Sequence, residues 1–402
     1  MKKLYRQLIN IISFVFIFAI YNDNFTVDHL GANALKLIFL AFILINLPAI
    51  IRNFATPDLM SNLMPFFLFT ALVFFSMLIG LPAGEELVPR LTENIMIIIS
   101  MVIIMVYFID YDLKKTLWFI WVTMASSSLI ALFNSPISRW TFRKTGGTGD
   151  PNEFASQILA FLFISIFLFK ENKNIPFLIF SLGAFAYSIL FAGSMSSILM
   201  LVVLMAFVMI RFMKMSFTKS MIVILITLTA GMSTMIALKD KLENVEVINN
   251  ILGRASNTGT ADTRFNSWGA GLKMITEKPL TGVGMREYGE FSPKYSSKYL
   301  GPDSVAPHNL YIEIMAESGL IVFFAFAFFL IDLLSRSFGA ITHSDYFWIY
   351  MAVVSYLLMG MTIGITYNKF FWITIALLKQ VQMHIQYESA GEVDSPVNIG
   401  TV

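Results

Sequence analysis

The chain has 402 residues, 57% of them hydrophobic and only 13% charged, with a formal net charge of +2 and no cysteine. Soluble domains carry about 25% charged residues, so this composition excludes an ordinary water-soluble globule. The near-zero net charge gives no reason to expect a nucleic-acid partner. Without thiols there is neither a disulfide framework nor a thiolate metal site.

Successive apolar runs approach or reach the ~17–25 residues that cross a bilayer. In chain order they cover 8–21, 34–51, 63–81, 94–109, 116–133, 153–169, 175–192, 195–210, 220–238, 309–331, 346–367 and 370–383. Bilayer hydrocarbon offers no partner to a backbone amide, and the runs lack the short alternation of barrel strands, so helices are expected. The expected fold is all-α: one polytopic membrane domain over 1–402, with about 12 transmembrane helices and one long extracytoplasmic loop containing short helices. The first and last runs are the weakest. Run 370–383 is short and carries Lys379 and Gln380, which suits a helix lying in the interface. Residues 1–21 have the charged start of a signal peptide but no small-x-small site before Asn22, so an uncleaved first span is expected.

Short-loop charges set an orientation. One set holds Lys2, Lys3, Arg6, Arg52, Lys114, Lys115, Lys170, Lys173, Arg211, Lys214, Lys219 and Arg336; the other holds Lys36, Arg90, Arg139, Arg143 and Lys144. The positive-inside rule puts the first set in the cytoplasm and residues 239–307 outside. The polar segment 388–402 then reads as a flexible cytoplasmic tail.

The loop 239–307 concentrates most of the polar chemistry. Its start, 239–250, reads as a charged helical extension of the preceding span. Asp262 or Thr263 can cap a helix through 264–275, which Pro279 stops. Arg264, Trp268, Leu272 and Ile275 share one face of it. Trp268 suits an interface, and Arg264 beside it can grip a diphosphate in a bidentate way; the plain alternative is an arginine that neutralises lipid phosphate. The run Leu280-Thr281-Gly282-Val283-Gly284 lacks the preceding strand and third glycine of a dinucleotide fingerprint. Its glycines instead allow close approach to a helix or a phosphate.

Pro307 suits the first turn of the next helix, which places His308 at a helix N-terminus, where the ring stays neutral and available as a base. Asn309, Glu313 and Glu317 fall four apart and form a polar stripe. Carboxylates inside a span are functional candidates; the alternative is that they pair with a neighbouring cation and organise packing. Arg139, Arg143 and Lys144 precede Gly146-Gly147-Thr148-Gly149-Asp150-Pro151-Asn152. A basic, glycine-rich loop can hold an anionic head group, or be a flexible turn.

The residues Arg264…Trp268, Lys278-Pro279-Leu280-Thr281-Gly282-Val283-Gly284 and Pro307-His308-Asn309-Leu310-Tyr311…Glu317-Ser318-Gly319-Leu320 resemble, in order and spacing, the core of the O-antigen ligase and O-antigen polymerase family. Asp150-Pro151-Asn152-Glu153-Phe154-Ala155 resembles the Asn-containing start of a mid-chain helix there. The resemblance implies a metal-independent, cofactor-free membrane glycosyltransferase of the bacterial inner membrane, its active site facing the periplasm. The donor it implies is an oligosaccharide on undecaprenyl diphosphate; the acceptor is a glycan or lipid A-core. Membrane lipids and a chain-length regulator are further implied partners. Arg264 and His308 take the catalytic positions; Arg139, Arg143, Asn152, Asn309, Glu313 and Glu317 are substrate-binding candidates; no metal ligand is expected. Cations would stabilise charge on the leaving diphosphate, and a base would assist the attacking hydroxyl.

Two positions depart from the family pattern. Met195 stands where many members carry an arginine, so Arg139 or Arg143 supplies that charge or the donor is held differently. Val322 breaks the ligase-type motif that His308, Asn309 and Gly319 otherwise fit. Polymerisation is therefore the leading expectation, ligation the second. Transport by a flippase is the alternative of another class, disfavoured because the polar chemistry gathers at one face rather than at midplane.

Overall fold

The computed structural model describes residues 2–31, 33–80, 87–133, 143–213, 259–296, 306–341 and 344–390, with short pieces between 216 and 226. Their helices, in order, are α1 (Lys2–Tyr21), α2 (Asp23–Leu30), α3 (Ala34–Phe54), α4 (Pro57–Asn62), α5 (Met64–Ile79), α6 (Leu87–Phe108), α7 (Leu113–Phe133), α8 (Pro151–Asn172), α9 (Ile175–Ala192), α10 (Met195–Met213), α11 (Gly259–Glu277), α12 (Tyr288–Tyr295), α13 (Leu310–Ile341), α14 (Phe347–Met359) and α15 (Lys369–Ala390). Eight of them, α1, α3, α6, α7, α8, α9, α10 and α13, are long and apolar enough to cross a membrane; α5 and α14 are shorter apolar helices. The protein is a polytopic all-helical membrane protein. Expected run 220–238 and segment 239–250 lie largely or wholly outside the described residues.

Many apolar side chains of α3, α5 and α9 point outward, such as Leu37, Leu44, Phe75 and Ile179. Bilayer hydrocarbon is an acceptable neighbour for them, as water would not be. Inside, α8 is buried along nearly its whole length, between α14, α9 and α7.

The second fully enclosed helix corrects an expectation. Run 370–383 does not lie in an interface. It is the core of α15, 22 residues long, buried from Phe370 to Met383 against α6, α14 and α13. Lys379 reaches Gln382 Oε1 at 2.9 Å and lies 3.9 Å from Asp332. Gln380 Nε2 donates to the Tyr111 carbonyl at 2.7 Å. The two side chains that suggested an interface thus find partners within α15, on α13 and in the turn between α6 and α7, as buried polar groups usually do.

Helix α13 is broken at Gly319, whose φ of 86° and ψ of 169° are not helical. The turn after α11 docks into that break. Val283 N donates to Ala316 O at 2.8 Å, Gly284 N to Glu317 O at 3.0 Å, and Leu320 N to Pro279 O at 2.7 Å. From α5, Ser76 Oγ lies 3.0 Å from the Thr281 and Ser318 carbonyls. A Cβ on Gly319 would sit 2.2 Å from Leu280 O, and one on Gly282 would sit 2.3 Å from Glu317 C and O. The glycines read as permitting close approach to a helix do so, and the carbonyls of Ala316 and Glu317 and the amide of Leu320, freed by the kink, find partners in the turn.

Candidate functional site

The face that carries α11 and α12 also gathers the starts of α8, α10, α13 and α15 and the ends of α1, α5, α9 and α14. The loop before α13 is held by α11. Trp268 Nε1 donates to Pro307 O at 3.0 Å, and Ser267 Oγ donates to Ala306 O at 2.6 Å. Tyr288 of α12 donates to the Ser267 carbonyl at 2.5 Å, and burial pushes its phenol up to about 12, so it remains a neutral donor. Arg264 stands one turn before Trp268, on the same face, and His308 follows Pro307. The structure therefore brings Arg264 and His308 to adjoining segments. Both are partly buried.

The start of α13 differs from expectation. The helix begins at Leu310, not at Pro307. Asn309 caps it, its Oδ1 accepting from Tyr311 N and Ile312 N at 3.0 Å each; Asn is among the best N-caps. Its amide donates to Met361 O at 3.2 Å, and Leu310 N donates to Gly360 O at 2.7 Å. His308 precedes the cap with a φ of 45°. That left-handed conformation costs a non-glycine residue about 1–2 kcal/mol, and the Trp268 and Gly360 contacts on either side hold it. The start of α11 also differs: the helix is already formed at Gly259, so Asp262 and Thr263 lie inside it rather than capping it.

Glu313 and Glu317 project onto the segment between α14 and α15, not onto a cation of a neighbouring span. Thr366 Oγ1 donates to Glu313 Oε2 at 2.7 Å. Glu317, 3% exposed, accepts from Arg286 N at 2.9 Å, Tyr288 N at 3.3 Å and the Tyr367 hydroxyl. Its carboxylate fastens the turn after α11 and the segment before α15 to the first half of α13.

Arg139 lies outside the described residues. Arg143 is buried: its Nε donates to Ala192 O at 2.6 Å and its Nη2 to Asn152 Oδ1 at 2.8 Å. Ser194 Oγ donates to the same Asn152 oxygen at 3.0 Å. The Arg143 side chain thus lies against Gly193 and Ser194, next to Met195. A cation from the preceding loop occupies the neighbourhood in which Met195 leaves none. Asp150 caps α8, accepting from Asn152 N and Glu153 N at 2.6 and 3.0 Å, which fixes Asn152 in the first turn.

Sequence reasoning missed a polar cluster on the other side of that turn. Asn368 donates to Glu153 Oε1 at 2.8 Å. Asp23, Glu153, Asn368, Lys369, Arg286 and Tyr367 line one cavity of about 600 Å³. Burial pushes the Asp23 carboxyl up, while the Asn24 amide and Lys369 pull it back. The available signal was the polar run Thr366-Tyr367-Asn368-Lys369 between two apolar stretches, of which the expected span 346–367 took in the first two residues.

Residues 177–327 match the family described as O-Antigen ligase. The chain is also similar to a ComP-specific O-oligosaccharyltransferase of Acinetobacter baylyi (strain ATCC 33305 / BD413 / ADP1), 22% identical over 264 residues, covering 61% of this chain and 47% of that protein. The chain thus spans about half the length of that relative. The matched stretch contains α11, the Gly282–Gly284 turn, His308 and the break at Gly319, so these motifs lie within the part of the chain that is similar to the O-antigen ligase family.

Proposed function

We propose that this protein transfers glycan from a polyprenyl-diphosphate carrier to an acceptor hydroxyl at the membrane face that carries α11 and α12. The observation that carries the reading is the α11–α13 junction, where Trp268 and Ser267 hold Pro307 and Ala306 and so set His308 beside the helix bearing Arg264. In the transfer, the acceptor oxygen bonds to the anomeric carbon as the bond from that carbon to the diphosphate oxygen breaks. The electron pair leaves on the diphosphate, where Arg264 and Arg143 stabilise the growing charge. The hydroxyl proton passes to a base, a role that fits His308. Asn309 and Glu317 act one step away: the first caps α13 and the second fixes the turn.

The acceptor is read as a second carrier-linked repeat unit, making the protein a polymerase of surface polysaccharide in the inner membrane, its site facing the periplasm. A ligase reading, with lipid A-core or another acceptor, is favoured by the descriptions of the matched family and of the relative. Cells carrying His308→Ala distinguish these when lipid-linked oligosaccharide is extracted and surface glycan is run on a gel. Single repeats without a ladder mark a polymerase. Polymer retained on the carrier with bare lipid A-core marks a ligase. Wild-type amounts of both products would remove His308 from the chemistry.

A further inference from the structure

The cavity of about 600 Å³ does not include Arg143, Asn152, Arg264 or His308 in its lining. It sits instead between the first halves of α3 and α6. Those two helices meet at their far ends, where Asn53 Nδ2 donates to Val106 O at 2.9 Å. Nearer the site face both helices line the cavity, α3 through Lys36, Ile38 and Phe39 and α6 through Glu93, Met96 and Ile97. Phe16 and Ile20 of α1 and Phe370 of α15 close the back. Met96, which lines the cavity, is 41% exposed, so the cavity is open at Met96, on an apolar helix long enough to span the membrane.

The lining is ordered along the membrane normal. Glu93 and Ser100 both line it, seven residues or about 10 Å apart on one helix. Apart from Ser100 the deeper part is apolar. The mouth holds Lys36, Arg286 and Lys369 among Asp23, Glu153 and Asn368. Cations suit a diphosphate, while carboxylates and an amide suit the hydroxyls of a first sugar. Across the mouth Arg286 pairs with Glu93 at 2.7 Å, joining side chains 43% and 62% exposed. Such a pair holds weakly and can yield its guanidinium to an arriving phosphate.

We infer that this cavity is the site of the acceptor's carrier: a single polyprenyl chain between α3 and α6, with its diphosphate on Lys36, Arg286 and Lys369. The inference rests on the glycan-transfer reading above and deepens it. His308 lies just before the Asn309 cap, and Glu317 stands seven residues into α13 from Leu310, about 10 Å along the helix axis, where it bonds Arg286 N and Tyr367 at the cavity wall. An oligosaccharide anchored in the cavity therefore has its first sugar there and a later sugar at Arg264 and His308. That spacing suits an acceptor whose attacking hydroxyl is several sugars from its own carrier. A cavity of this size takes the diphosphate and first isoprene units of one chain and is too small for the several acyl chains of lipid A.

The cysteine-free chain allows a direct test. Met96→Cys, labelled in native membranes with a benzophenone maleimide and irradiated, is expected to yield an adduct with the mass of a polyprenyl-diphosphate glycan. Leu44→Cys, on the outward face of α3 and 60% exposed, is expected to yield phospholipid adducts only. Phospholipid alone at both positions overturns the inference. A second arm uses Ile97→Trp, which fills the slot. With reconstituted protein, it is expected to raise the KM for a non-cleavable carrier-linked repeat unit, able to accept but not donate, at least tenfold and to leave the donor KM unchanged. A rise in the donor KM instead places the donor in the cavity and refutes the assignment. Wild-type protein that extends no lipid-linked acceptor would fail the polymerase reading on which the inference rests, an outcome separate from either of these.

Discussion

Glu317 offers a quantitative test, because its carboxylate can be read either as a substrate ligand or as the fastening of the turn onto the broken helix. The geometry supports the fastening: three donors, Arg286 N, Tyr288 N and the Tyr367 hydroxyl, converge on it. Glutamine keeps the shape but offers one acceptor oxygen and one amide donor, so at least one of these bonds is lost. Hydrogen bonds to a charged group contribute about 1.5–3 kcal/mol each. Glu317→Gln should therefore favour local opening of the turn by about 1.5–3 kcal/mol, or roughly 10- to 150-fold, since 1.4 kcal/mol is a factor of ten. Val283, 2% exposed, lies inside that turn, and the chain has no cysteine of its own. In a Val283→Cys background, the rate of alkylation by a small maleimide reports opening. Glu317→Gln should accelerate it by that factor, with transfer falling in parallel. An alkylation rate unchanged within about twofold, together with lost transfer, would refute the structural role and return Glu317 to the substrate.

Arg264→Ala should abolish glycan transfer while the protein still inserts. Arg264→Lys should recover little, because lysine keeps the charge but loses the planar fork; near-normal polymer length at native expression in either strain counts against this. His308→Gly removes the ring yet accepts the left-handed backbone, so it should melt at least as high as wild type in detergent and still be inactive. A destabilised but active His308→Gly protein would show that the residue matters only for the turn. A single cysteine replacing Glu290, exposed on α12, should react with impermeant maleimide added from outside, and one replacing Asn172 should not; the opposite pattern would invert the orientation.

The helices were legible because crossing a bilayer demands length and apolarity, which a sequence displays directly. Where that reading failed, the missing information was tertiary. Lys379 and Gln380 look interfacial until Asp332, Gln382 and Tyr111 are placed beside them. Pro307 looks like a helix start until Asn309 is seen to cap. Arg264, His308 and the glycine turn could be found because they lie in one loop with a recognisable spacing. The cavity could not, because Asp23, Lys36, Glu93, Glu153, Arg286 and Lys369 belong to six separate segments, and each reads alone as an ordinary charge near a helix end. Arg143 stood between: its loop was singled out, but only the fold puts its guanidinium against Asn152 and Ser194.

The most direct test of glycan transfer from a lipid carrier is made in proteoliposomes. Purified protein is mixed with radiolabelled polyprenyl-diphosphate repeat units from the producing strain, and the products are resolved by length. The wild type should convert single repeats into a ladder that remains carrier-linked and release free polyprenyl diphosphate in equal number to the new linkages, with Arg264→Ala producing neither. Carrier-linked repeats that stay single in the presence of wild-type protein and of a lipid A-core acceptor would contradict the account.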